Sequence, residues 1–235
     1  MTTKKKTLVL TDNSHAHKLA GDLNQLHGDI DAYQSPNGTL VGVPRLHVRD
    51  EASIIIDKYD LVLSIHCKQI FPPELVDRVR CVNVHPGLNP HNRGWFPQVF
   101  SIINGLPSGV TIHEIDNELD HGSIIAQREY KIQSWDTSGS VYAKIMTLER
   151  ELVLEHFMAI RDQTYKAVAP ENEGNLNYKK DFDRLKHIDL GQQGTFGEFI
   201  NRLRALTHDD FRNAYFIDAS GKKVFVRISL VPEDS

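Results

Sequence analysis

Apolar and polar positions alternate between two periods along the first ninety residues. Residues 7–12 form a short apolar run, TLVLTD, that reads as a buried first strand. Asn13 or Ser14 then offers a helix N-cap, and Leu19, Leu23 and Leu26 follow at helical spacing up to Gly28. Residues 30–34 predict a second strand, residues 35–38 (SPNG) a turn, and residues 52–59 a helix. Residues 60–66 form the next buried strand. Pro72-Pro73-Glu74 opens a helix through Val79, and residues 82–85 form a strand that Pro86-Gly87 stops. Strand and helix in alternation predict an α/β architecture with a mostly parallel sheet.

The rhythm changes after Gly87. Residues 95–104 predict a helix that closes at Gly105. Residues 110–115 and 123–132 predict strands on either side of a polar loop, residues 116–122. The longest helical pattern runs over residues 136–165, where Val141, Ile145, Leu148 and Leu152 make one apolar stripe. Residues 169–174 (APENEG) are a plausible boundary, which divides the chain into a core, 1–170, and a small C-terminal region, 171–235. In that region Thr195 and Glu198 form a capping box ahead of Phe199, Ile200, Leu203 and Leu206. Residues 214–217 and 224–230, with Asp218-Ala-Ser-Gly221 between them, predict a β-hairpin.

Composition narrows the function classes. The 235 residues carry 27 Lys and Arg against 31 Asp and Glu, a net charge of -4, so no broad positive field invites a nucleic acid. No apolar run reaches the length of a membrane span. The charged start, Met-Thr-Thr-Lys-Lys-Lys, leads into no apolar stretch of signal length, and with two cysteines, Cys67 and Cys81, the expected compartment is a reducing cytoplasm. Neither a dinucleotide-binding glycine fingerprint, nor a P-loop, nor a G-x-S-x-G elbow is present. There are 12 histidines, and His66-Cys67 and Cys81-His85 fall on neighbouring predicted strands. None has the tight paired spacing of a zinc site, so no metal is expected.

Chemistry concentrates in residues 83–97, NVHPGLNPHNRGWFP. Asn83 and His85 are two apart and share one side of a strand, at a carboxyl end where open α/β sheets bind ligands. A neutral imidazole can accept a proton from a reacting amine, and an amide can donate to an oxyanion. Asp120, in the polar loop, supplies a carboxylate to orient the imidazole. The plainer alternatives are a strand-end histidine bonded to backbone and an Asp that forms a turn. Arg93, beside Gly94, reads as a loop brace. Trp95 reads as a core aromatic, with stacking on a base or sugar as the alternative.

Asn83-Val-His85-Pro86, Arg93-Gly94-Trp-Phe-Pro97 and Asp120-His-Gly122 together resemble the folate-dependent formyltransferases, densely and in order from Asp60 to Gln127. The segment from His85 to Phe100 is most similar to the small nucleotide-sugar members. It departs from the H-P-S-L-L-P of the glycinamide ribonucleotide branch. The resemblance implies a Rossmann-like core and a catalytic trio of Asn83, His85 and Asp120. It implies N10-formyltetrahydrofolate as co-substrate, with the pterin against backbone at Ile65, His66, Ile70, Ile115, Asp116 and Asp120. The implied acceptor is dTDP-4-amino-4,6-dideoxyglucose or its 3-amino isomer. Lys68, Gln69, Trp95 and Tyr178 are the substrate contacts to examine, with Lys68 as the diphosphate partner. Similar sugar formyltransferases form homodimers, and the apolar face of Val224, Val226, Ile228 and Leu230 is the segment that needs a partner. The rivals are a glycinamide ribonucleotide formyltransferase and a non-catalytic folate or nucleotide sensor.

Overall fold

The computed structural model describes residues 6–233, so most of the charged N-terminal start lies outside the described residues. The elements are β1 (Thr7–Leu10), α1 (Ser14–His27), β2 (Ile30–Tyr33), α2 (Ala52–Lys58), β3 (Leu61–Ile65), α3 (Pro73–Val76) and β4 (Arg80–His85). They continue with β5 (Arg93–Gly94), α4 (Pro97–Asn104), β6 (Ser108–Glu114), β7 (Ile124–Tyr130), α5 (Ser138–Asp162), β8 (Leu176–Asn177), α6 (Lys179–Lys186), α7 (Phe196–Leu206), β9 (Ala214–Ile217) and β10 (Lys223–Val226).

Six strands form one sheet in the order β2-β1-β3-β4-β6-β7. The first four are parallel, and β6 and β7 join antiparallel. The short polar loop between β6 and β7 leaves no room for a crossover helix, so that pair is antiparallel. Side chains alternate across the sheet. Val9, Leu63, Ile65, Val82 and Val84 face α1, α4 and α5, while Leu8, Leu10, Val62 and Cys81 face α2 and α3. Both faces are covered, as a parallel sheet requires.

Local signals account for the element ends. The Asn13 side chain accepts from the His15 and Ala16 amides, and Gly28 closes α1. Leu26 is the exception in its stripe, 65% exposed at the end of the helix. Helix α3 stops at Val76, one turn short of the expected Val79, which is nonetheless buried. Helix α4 starts at Pro97 because Phe96 adopts a left-handed conformation that no helix continues. Thr137 and Ser140 cap α5 reciprocally. The last strand pairs only as far as Val226, since β9 is four residues long, yet Val224, Val226, Ile228 and Leu230 keep one shielded face.

The C-terminal region packs on the sheet layer. Phe182, Ala205, Leu206 and Ala214 belong to the same apolar cluster as Val141, Ile145 and Phe157. The two-residue pairing of β5 with β8 ties residues 93–94 to 176–177. None of the helices among the described residues is long and apolar enough to cross a membrane.

Candidate active site

Strand β4 ends with Asn83 and His85 on the side of Cys81, opposite Val82 and Val84. Strand β6 runs beside it in register, Asn83 against His113 and His85 against Thr111. The loop after β6 then returns Asp120 over the end of β4. Gly122 makes that return possible, because a Cβ there would sit 1.9 Å from the Glu114 carbonyl.

Three side chains converge. The Asn83 amide donates to Asp120 Oδ1 at 2.9 Å and lies 3.2 Å from His113 Nε2. Asp120 Oδ2 is 3.4 Å from His85 Nδ1 and accepts the Gly94 amide at 3.1 Å. His113 Nε2 lies 3.6 Å from Asp120, and its Nδ1 is 2.7 Å from the Glu114 carbonyl. Asn89 donates to the Asp120 carbonyl, and Arg93 to the Leu119 carbonyl. Arg93 therefore braces the loop, as its position beside Gly94 suggested.

Electrostatics separate the two titrating groups. Burial lowers the His85 pKa against the opposing pull of Asp120, so the ring is neutral at neutral pH. Burial alone would raise the Asp120 pKa, but the His85 and His113 rings and the Gly94 amide overcome it and hold the carboxyl well below its usual range. The result is a neutral base beside an ionised carboxylate. His85 Nε2 is buried with no partner, and a Cβ on Gly87 would stand 2.5 Å from it. Such an orphaned acceptor suits a reacting N–H or a water that carries its proton.

Among the described residues, four of the seven non-glycine residues with positive φ surround this point: His66, Asn92, Phe96 and Asp120. Strained backbone of this kind persists where its surroundings hold it. The hold on residues 88–96 is an asparagine hub absent from the sequence reading. Asn92 Oδ1 accepts from Asn104, Asn175 and Asn177, and its amide donates to Ser101 and Asn104.

The other singled-out residues divide. Ile65 is buried in the core and offers only backbone, while Ile70 is 77% exposed. Ile115 lies one residue past β6 and donates its amide to Cys81. Asp116 is occupied by the Glu118 amide and by His121 at 2.9 Å. Both ends of the Gln69 amide bind backbone at Leu46 and Val48, so it fastens a loop with its side chain. Lys68 is exposed, with Nζ 6.0 Å from the centre of the Trp95 ring. Tyr178 caps α6 and is 49% exposed. His66 turns to Glu149, 2.9 Å away.

Lys68, Gln69 and Ile70 line a cavity of about 890 Å³ with Asp12, residues 35–39 and residues 47–50. Asp12 is bonded to Ser35, and Asp50 pairs with His47 at 2.6 Å. Arg49 and Lys68 have no carboxylate partner among the described residues. The cavity therefore favours an anionic guest. Separately, Glu118, His121 and Glu173 hold possible ligand atoms within 4.8 Å of one another at the surface.

Comparison with known proteins decides the family. Residues 49–157 match the formyl transferase model, and residues 181–232 match the N-formyltransferase dimerization C-terminal domain. A dTDP-4-amino-4,6-dideoxyglucose formyltransferase of Mycobacterium tuberculosis strain H37Rv is 69% identical, over 96% of this chain and 97% of its own. The chain belongs to the formyl transferase family. It is a folate-dependent enzyme that formylates a sugar amine. A 4-N formyltransferase from Francisella tularensis superposes with a TM-score of 0.90 at 40% identity, over 97% of this chain and 99% of that one. The formyltransferase PseJ from Anoxybacillus kamchatkensis, solved with a UDP-formamido sugar and tetrahydrofolate, gives 0.63 at 26% identity, over 76% and 88%. The formyltransferase fold thus accounts for the sheet order.

Proposed function

We propose that the protein transfers the formyl group of N10-formyltetrahydrofolate to the amine of dTDP-4-amino-4,6-dideoxyglucose. The reading is carried by the convergence of Asn83, His85 and Asp120 in a chain so similar to an enzyme of that name. The neutral amine attacks the formyl carbon, and a C–N bond forms as the carbonyl becomes an oxyanion. The Asn83 amide turns one N–H from Asp120 or His113 to that oxygen. His85 Nε2, directly or through a water, takes the amine proton and delivers it to N10 as the C–N10 bond breaks. Ionised Asp120 stabilises the imidazolium that forms between the two transfers. Tetrahydrofolate and the N-formyl sugar leave with no net change in protons.

The pterin is placed against backbone at residues 65–70 and 115–120. The anion-favouring cavity suits the sugar nucleotide, with Lys68 on the diphosphate and Arg49 beside it. Trp95 and Tyr178 border its approach. Residues 1–170 serve as the catalytic core, and residues 171–235 pair two chains. Support for a homodimer comes from an apolar groove of Ile188, Leu190, Phe199, Leu203, Phe216 and Val226 in that region. The enzyme works in the cytoplasm, and its product enters a surface glycan.

Formyl transfer with N10-formyltetrahydrofolate and a panel of amines tests the assignment. The panel holds dTDP-4-amino-4,6-dideoxyglucose, its 3-amino isomer, a UDP counterpart and glycinamide ribonucleotide. Preferred turnover of the 4-amino sugar is expected, and His85→Asn should lower it by about 10²-fold or more. Preferred turnover of any other amine, or a near-normal rate in that variant, overturns the assignment.

A further inference from the structure

A second imidazole–carboxylate pair stands beside the first. Strands β3 and β4 are parallel neighbours in register, Ile65 against Val84, so the next step places His66 beside His85 at the carboxyl ends of the two strands. Adjacent strands lie about 4.8 Å apart. His85 points to the Cys81 face. Regular alternation would send His66 to that face too, with Val62 and Ser64. Instead His66 has φ +53°, and its ring crosses to α5. There Nε2 lies 2.9 Å from Glu149 Oε2, a close charge contact without the angle of a straight hydrogen bond.

Glu149 itself is the anomaly that needs an explanation. It follows Val141 and Ile145 on the apolar stripe of α5 and is 2% exposed. A buried carboxylate is costly unless it is paired, and among the described residues His66 is the only cation-forming group against it. The charge on Glu149 favours a proton on Nε2. Nδ1, which has no hydrogen bond and is not among the buried orphans, then presents its lone pair at the open edge of the ring. Groups facing His66 from the packed elements are Tyr142 and Glu149 on α5 and His85 on β4, while Lys68, two residues on, lies over Trp95. His208 lies behind Tyr142. The Tyr142 hydroxyl accepts from Asn13, so it is engaged.

An amino sugar is largely an ammonium ion at neutral pH, and only the free amine attacks a formyl carbon. His85 has one proton to handle in the transfer itself. An earlier proton remains on the incoming ammonium. We propose that His66 Nδ1 takes this proton from the bound acceptor ammonium, and that Glu149 is the positioning residue that orients the ring and balances the charge it gains. The N–H bond of the ammonium breaks, a bond to Nδ1 forms, and the lone pair left on nitrogen is the nucleophile. The imidazolium is balanced by Glu149 and loses its proton to solvent after turnover. This inference rests on the proposed acceptor being an amino sugar.

The test is the pH profile of kcat/KM for dTDP-4-amino-4,6-dideoxyglucose in wild type, Glu149→Gln and His66→Asn. Asparagine tolerates the left-handed backbone, so the second variant keeps the turn. With an amine pKa of about 8, both variants should lose about tenfold at pH 7 and converge on wild type near pH 9, while below about pH 6 wild type falls as well because a protonated imidazole accepts nothing. A loss independent of pH, or none, refutes the role of His66. Imidazole ¹⁵N NMR of the wild type is the second arm. Nδ1 should gain a proton when the amino sugar binds and none when its 4-hydroxy counterpart binds. Identical spectra would refute the role even if a variant failed to fold. Wild-type turnover separates the readings: if wild type leaves this sugar untouched, the acceptor assignment fails first.

Discussion

Replacing Asp120 by Asn keeps the shape of the side chain and removes its charge. In wild type each carboxylate oxygen faces hydrogen-bond donors or imidazole nitrogens: Oδ1 takes Asn83 and lies 3.6 Å from His113, while Oδ2 takes the Gly94 amide and lies 3.4 Å from His85. An amide must aim its NH₂ at the Asn83 donor or at the Gly94 N–H, which leaves one buried donor unpaired at about 1–3 kcal/mol. The larger loss is electrostatic. A carboxylate 3.4 Å from the imidazolium formed during transfer is worth about 5 kcal/mol at an effective dielectric of about 20. If half of that survives relaxation, the rate falls about 70-fold, and if all of it survives, about 5 × 10³-fold. Steady-state formyl transfer at pH 7.5, with a folate-binding control, measures the drop. Stability adds an independent reading. A carboxyl held below its usual range contributes stability above the unfolded pKa, about 3.9, and loses it as pH falls further. Asp120→Asn should therefore flatten the acid side of the melting-temperature curve below about pH 4. A variant that folds, binds folate and keeps more than a third of the wild-type rate would refute the electrostatic role.

Lys68→Ala should raise the KM for the sugar nucleotide about tenfold and leave the folate KM within twofold; equal changes would remove the lysine from the diphosphate. Gly122→Ala puts a Cβ 1.9 Å from the Glu114 carbonyl, and the displaced loop should cost both activity and about 3 kcal/mol of stability, read by urea denaturation; an unchanged midpoint would contradict the packing. Asn92→Leu strips the hub of its acceptor and leaves the Asn104, Asn175 and Asn177 amides short of a partner, so its melting temperature should fall by several degrees. Phe199→Asp in the apolar groove should convert a dimeric mass in light scattering into a monomeric one, whereas a wild-type monomer would end the pairing proposal.

Much of this arrangement could be read from the chain because local signals agreed with the global fold. Period-two and helical runs named every strand of the main sheet, and Asn13, Gly28, Gly105 and Thr195 capped helices where their residue types indicated. The misses share a cause. Helix α6, KKDFDRLK, carries one buried apolar residue, Phe182, and is held by that anchor and by Lys–Asp pairs on its exposed side. No apolar stripe announces such a helix. The asparagine hub is built from residues 92, 104, 175 and 177, too far apart in sequence for any spacing rule.

His113 and Glu149 were different, because their signals were present. His113 shares the alternation of β6 with Thr111, and antiparallel pairing with β4 sets it against Asn83. Glu149 stands four residues after Ile145, at an apolar position of an amphipathic helix. An acid at such a position is a local inconsistency, and inconsistencies of that kind gather at functional sites, where packing is sacrificed for chemistry. Asp120 and Glu149 are both buried acids, one on a loop and one on a helix, and each faces the histidine at the end of a neighbouring strand. The carboxyl ends of β3 and β4 are where an open α/β sheet offers a ligand its site. Two imidazoles with opposite faces and separate counter-charges give it two proton acceptors, one for each proton that an ammonium acceptor must lose in the proposed reaction.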